Sequence, residues 1–193
     1  MDPEMDPEKE NRKRLLLRKA RRSRELGPFI EKLSEATGLR SDSFRFLSLE
    51  EADAIESDFE SWYPNELSSR DKLIAEWCDP DRLHSVLAEM GSLDGDGERL
   101  VFFPCADVFG ALALPSRVFW AHASQMLIAE GNCLRMLSRP ELRSGVYLDL
   151  YEKGASGTFF HEIRAWGPYR GYLEQSLAKH DPAKLVAPPD LRS

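Results

Sequence analysis

The sequence predicts an α+β fold in which a mostly antiparallel sheet of four or more strands packs against helices, with an N-terminal helical region. Three observations carry that reading. Residues 145–151 (GVYLDLY) and 158–166 (TFFHEIRAW) alternate with period two on either side of a loop with two glycines, the pattern of a β-hairpin. Residues 99–103 form a short continuous apolar run closed by Pro104, as expected of a strand buried on both faces. Leu114-Pro115-Ser116 leads into a stretch through Ile128 that is apolar over more than half of a helical circumference, so this helix is expected to lie centrally on the sheet.

The other elements follow in chain order. Residues 1–8 repeat Met-Asp-Pro-Glu and are expected to be disordered. Residues 9–26 (KENRKRLLLRKARRSREL) favour a basic helical arm, broken by Gly27-Pro28. Residues 29–37 read as a short amphipathic helix closed by Gly38, and 43–47 as an edge strand. Ser48, with Glu51 three residues on, forms a capping box that opens a helix through Ala52, Ile55, Phe59 and Trp62, stopped at Pro64. Residues 69–77 read as a further helix. Asp79 and Pro80 supply the N-cap and first position of another, ending at Gly91 and carrying a partly exposed His84. Residues 94–98 contain the D-x-D-G of a calcium loop but lack its later glutamate, so a turn is expected. A loop or short helix is expected over 105–113, a strand over 133–138, a turn over 138–141, and a last helix over 169–179 after Gly167-Pro168. The result is a single α+β domain over 27–182 with a loose tail over 183–193.

Composition narrows the function. With 42% hydrophobic residues the chain has enough apolar mass to fold without disulfides or metal. Cys78, Cys105 and Cys133 are far apart and odd in number, with no zinc spacing, and are read as buried free thiols of a reducing compartment. No run is long and apolar enough to span a bilayer and no secretory signal is evident, so a cytoplasmic location is expected. Charge is divided: residues 9–24 hold nine Lys or Arg against one acid, whereas residues 25–193 hold 17 basic and 28 acidic groups. An acidic body is poorly suited to phosphate backbones and well suited to a basic protein partner.

In the hairpin, setting Leu148 opposite Ile163 sends Val146, Leu148, Leu150, Phe159, His161, Ile163 and Ala165 inward. The outer face then carries Tyr147, Asp149, Tyr151, Phe160, Glu162, Arg164 and Trp166. Aromatics and arginine are enriched where proteins meet partners, so Tyr147, Asp149, Tyr151, Glu162, Arg164 and Trp166 are the candidate partner-binding residues; a helix or loop covering this side is the alternative. Asp149 and Glu162 also stand side by side, which suits a general acid and base; this makes a small hydrolase one alternative function. A second is a nucleic-acid-associated protein binding through Arg12, Lys13, Arg14, Arg18, Lys19, Arg21 and Arg22 of the arm. No phosphate-cradling loop, GxSxG, HExxH or dinucleotide-binding glycine run is present, His122 reads as a hydrogen-bonded core or edge residue, and no metal or cofactor is expected.

From the strand at 100–103 through GVYLDLYEKGASGTFFHEIRAWG, residues 98–167 resemble the small bacterial toxin-immunity proteins of the YxiF-like and related kinds. Asp149, Glu152, Glu162 and Trp166-Gly167 carry the likeness. The resemblance implies a cytoplasmic, non-catalytic antidote that blocks a toxin by stoichiometric binding. The expected function is therefore a protein-binding module that occludes a basic toxin or other protein through its acidic and aromatic hairpin face.

Overall fold

The computed structural model describes residues 7–66, 71–130, 133–139, 142–152 and 157–185. Its described residues build six α-helices and seven strands in one antiparallel sheet. In chain order these are α1 (Pro7–Thr37), β1 (Arg45–Phe46), α2 (Leu49–Glu66), β2 (Lys72–Trp77), α3 (Pro80–Leu93) and β3 (Glu98–Phe102). There follow α4 (Ala106–Phe109), β4 (Leu112–Pro115), α5 (Ser116–Glu130), β5 (Cys133–Ser138), β6 (Gly145–Glu152), β7 (Phe159–Trp166) and α6 (Pro168–His180). Across the sheet the strand order is β1-β4-β3-β5-β6-β7-β2. The hairpin of β6 and β7 pairs in the expected register, Leu148 opposite Ile163 and Asp149 opposite Glu162.

Strand alternation sorts the side chains into two cores. On the inner face, Val101, Leu112, Leu134, Met136, Val146, Leu148, Ile163 and Ala165 pack under α1, α3, α5 and α6. α5 is the central helix expected here, with Phe119, Ala123 and Met126 fully buried. On the outer face, Leu100, Phe102, Ala113, Leu137 and Trp166 pack against Ala52, Phe59 and Trp62 of α2. The molecule is therefore three layers deep at one end of the sheet and two at the other.

Several expected boundaries are corrected. α1 does not break at Gly27-Pro28: it runs unbroken through Pro28. Proline inside a helix loses one backbone hydrogen bond and costs about 3 kcal/mol. Burial of Phe29 and Leu33 on the inner core offsets this, at about 1.5–3 kcal/mol each. The helix already includes Pro7 and Glu8, placed in the disordered segment by sequence. The stretch read as a helix over 69–77 is strand β2, because Ala75 and Trp77 reach the inner core only when paired with Ile163 and His161 of β7. The short helix allowed for over 105–113 is present as α4, and strand β4 follows it unexpectedly, while α2 and α3 extend past Pro64 and Gly91. Residues 183–185, read as the start of the loose tail, belong to a 3-10 turn over Pro182–Leu185. The expected turn at Pro140-Glu141 and the tail from 186 on fall outside the described residues.

The capping box is present: the Ser48 backbone N–H donates to Glu51 Oε2 at 3.0 Å, and the Glu51 N–H donates to Ser48 Oγ at 3.2 Å. Asp79 caps α3 by accepting from the Asp81 N–H at 3.0 Å. Asp94, in the calcium-like run, is already filled by protein donors. Arg99 Nη2 reaches its Oδ1 at 2.7 Å, while Ser116 Oγ and Trp120 Nε1 each reach Oδ2 at 2.6 Å. Of the cysteines expected to be buried, Cys78 is exposed and Cys105 and Cys133 are half-buried. His122 is half-buried with its Nδ1 unpartnered, not hydrogen-bonded as expected.

Candidate functional site

Strand register lays the outer face out in rows. Across β2, β7, β6 and β5 the first row is Lys72, Trp166, Gly145 and Leu137; the second is Ile74, Arg164, Tyr147 and Arg135; the third is Glu76, Glu162, Asp149 and Cys133. A fourth row holds Phe160 and Tyr151.

The first row lies under α2. Trp166 is 1% exposed, with its ring centroid 5.2 Å from that of Tyr63 and 6.0 Å from that of Phe59. Trp166, expected to meet a partner, is thus a core residue, because α2 folds back over this end of the outer face. Gly145 makes the close packing feasible: a Cβ there would stand 2.1 Å from the Met136 carbonyl oxygen and 3.0 Å from Trp166 Cζ2. The second row is half covered. Arg135 is held by Glu56 at 2.5 Å, its guanidinium 4.2 Å from the Phe59 centroid and 4.8 Å from that of Phe102. Arg164 lies 5.2 Å over the Tyr147 ring and donates through Nε to Glu162. Ile74, at the sheet edge, is 52% exposed.

No described helix packs over the third and fourth rows. Here Glu76, Glu162 and Asp149 stand in direct register on three adjacent strands. Directly opposed like charges destabilise a sheet, and Arg164 pairs with Glu162 of this row. Tyr151 donates its hydroxyl to Glu76; burial and then that carboxylate push its phenol well above the usual range. Burial, followed by the neighbouring Cys133 and Asp149, does the same to Tyr147. The Tyr151 and Phe160 rings stack at 6.1 Å.

No family model, curated protein or solved structure matches this chain. Its functional reading therefore rests on what this face can do.

Of the six expected partner-binding residues, Asp149, Tyr151 and Glu162 share the uncovered rows, Tyr147 and Arg164 form the seam with α2, and Trp166 is buried beneath it. β2 adds Glu76 and Ile74, which a helical reading of 69–77 hid; the alternation in Lys72-Leu73-Ile74-Ala75-Glu76-Trp77 was their signal. Inside the hairpin, His161 is buried as expected, and Phe159, expected inward, is 55% exposed at the hairpin end. Asp149 and Glu162 do adjoin as a hydrolase dyad requires, with Glu162 tied to Arg164, and the neighbouring Glu76 and Phe160 line a cavity of about 260 Å³ with Arg82, Asp181 and Lys184. A larger cavity of about 610 Å³ lies at the opposite sheet edge, beside Arg45, Glu98 and Ser116, with Arg45 already paired to Glu98. Among the described residues no group of three or more His, Cys, Asp or Glu is arranged to hold a metal ion. No described helix is long and apolar enough to cross a membrane.

The basic residues of α1 divide into two sets. Arg18 grips Asp53 with two nitrogens, at 2.6 and 2.7 Å, and donates to the Asp107 carbonyl at 2.5 Å; Lys19 pairs with Glu50. Arg21 pairs with Glu25 at 3.0 Å, and burial lowers the pKa of Arg22 against the pull of Glu50. Arg12, Lys13 and Arg14 are exposed. The arm thus docks one side on the first turn of α2 and leaves its N-terminal basic residues to solvent.

Proposed function

We propose that this chain is a non-catalytic protein-binding module of the immunity-antidote kind, which takes a basic partner, such as a toxin, on the open part of its outer sheet face. One observation carries the reading: three carboxylates, Glu76, Glu162 and Asp149, stand in one row on a surface that no described helix covers. Aromatic Tyr151 and Phe160 border the row on one side and Ile74 on the other. A row of carboxylates is complementary to a cationic surface, which gives specificity and fast association. The flanking Tyr151 and Ile74 offer the apolar anchor that charges alone lack. An arginine-bound Glu162 favours binding over hydrolysis.

The test begins with a partner captured from lysate of the source cells, purified and titrated against defined variants. Glu76→Gln/Asp149→Asn/Glu162→Gln should fold and bind the partner about tenfold more weakly or worse, with most of the loss in association rate at low salt. Arg12→Gln/Lys13→Gln/Arg14→Gln should bind as the parent does. Unchanged affinity in the acidic-row variant removes this face from the function. Capture of nucleic acid alone, lost in the arm variant, transfers the function to α1.

A further inference from the structure

β2 closes one edge of the sheet: its strand neighbour is β7, and among the described residues no second strand pairs with it. The opposite edge, β1, is two residues long, whereas β2 pairs over six residues in unbroken register and contains neither proline nor glycine. An edge of that length is a template for a further strand, and native proteins shorten, bend or cover such edges.

The outward side chains of β2 fit one strand in particular. Lys72, Ile74 and Glu76 share the outer face, and Ile74, 52% exposed, stands midway between a cation and a carboxylate. Against an antiparallel copy of β2 centred on Ile74, Lys72 falls opposite Glu76 of the copy, Ile74 opposite Ile74, and Glu76 opposite Lys72. Moving the centre by one residue either way sets Ile74 opposite a charge instead. Opposite charges facing each other across antiparallel strands stabilise the pair, and like charges oppose it. Lys72 meets no carboxylate among the described residues; its ammonium rests 4.2 Å from the Tyr63 ring centroid, which leaves N–H donors for one. Glu76 accepts the Tyr151 hydroxyl on Oε2, and a carboxylate takes more than one donor.

We propose that β2 pairs antiparallel with β2 of a second copy of this chain, about a two-fold axis at Ile74. A patch complementary to itself about such an axis closes into a dimer and builds no open chain. The axis sets Ile74 against Ile74, which removes from water an apolar side chain that the free chain exposes. Two reciprocal Lys72–Glu76 ion pairs flank it. Because α2 covers the Lys72 end of each sheet, the covered end of one copy stands beside the open acidic end of the other. One strand pair buries less than a standard interface, so the association is weak. The edge adjoins the row proposed to meet a basic partner, but the pairing needs only this chain and does not rest on that contact.

Sedimentation velocity of the pure full chain tests the pairing with no other partner present. A reversible dimer should appear as concentration rises through about 0.1 mM, with no larger species. Lys72→Glu and Glu76→Lys each set like charges across the axis and should weaken the dimer about tenfold or more. Mixed in equal amounts, these two variants should pair with each other, since one edge then carries only carboxylates and the other only ammonium groups. The swap Lys72→Glu/Glu76→Lys should dimerise as the parent does, a rescue that a merely structural role would not give. Should a charge variant fail to fold, Ile74→Glu, at the exposed centre, should abolish the dimer. A chain monomeric up to about 1 mM, a dimer unchanged in Ile74→Glu, or folded charge variants that stay apart when mixed overturns the proposal. So does a dimer lost in Arg12→Gln/Lys13→Gln/Arg14→Gln and kept in Ile74→Glu, which assigns association to α1.

Discussion

At Asp94 one carboxylate receives Arg99 from β3, Ser116 and Trp120 from α5 and, more weakly, the Tyr169 hydroxyl of α6 at 3.2 Å. Burial opposes its charge, but the donations from Arg99, Ser116 and Trp120 outweigh burial and hold its pKa below the ordinary value. The same site, through burial first, pushes the Tyr169 phenol up to about 12. Asp94 and Arg99 side chains are 4% and 5% exposed, so removing one partner strands the other in the interior. Asp94→Ala is expected to cost about 3–5 kcal/mol in denaturant unfolding, whereas Arg40→Ala, in an exposed pair with Asp42, should change stability little. His161, whose pKa is also lowered, gives a pH signature of the same sign at higher pH. Burial holds its imidazole below the ordinary 6.5, against the pull of Asp79, with Nδ1 unpartnered. Below 6.5 the unfolded chain binds a proton that the folded chain refuses. His161 therefore weakens the fold as pH falls from 6.5 toward its own lowered value, and not above. His161→Leu should flatten the stability profile just below pH 6.5, measured by urea unfolding at stepped pH.

At the scale of elements, local signals were legible where local chemistry decides the outcome. The Ser48/Glu51 capping box, the Asp79-Pro80 helix start and the hairpin register all stand as the sequence suggested. Ser48→Ala should cost about 1 kcal/mol by thermal or denaturant unfolding, through loss of the α2 cap. Where tertiary contacts decide, the reading failed. The short apolar run 72–77 fits both helical and strand spacing, and pairing with β7 settles it. Gly27-Pro28 carries a strong local breaking signal, yet Leu26, Phe29, Ile30 and Leu33 pack on the core from one continuous helix. Strand β4 is only four residues long and ends at Pro115, too little alternation to separate from a loop.

At the scale of the whole molecule, one asymmetry organises the surface. Four helices cover the inner sheet face, while α2 covers one end of the outer face and no described helix covers the rows of Glu76, Glu162 and Asp149 and of Phe160 and Tyr151. Hairpin periodicity could place Asp149, Tyr151 and Glu162 on one side, but it could not show that α2 buries Trp166 or that β2 contributes Glu76, since both depend on long-range packing. Charge follows the same division: Arg18 and Lys19 of α1 are neutralised by Asp53 and Glu50 at the α2 end, and the acidic row remains at the other. We propose the open acidic row as the contact surface. Hydrogen–deuterium exchange of the full chain, free and bound to its purified partner, tests it most directly. Slowed exchange confined to residues 72–77, 147–152 and 159–164 is the expected result. Slowed exchange over residues 8–24 of α1, with the hairpin and β2 unchanged, would contradict it.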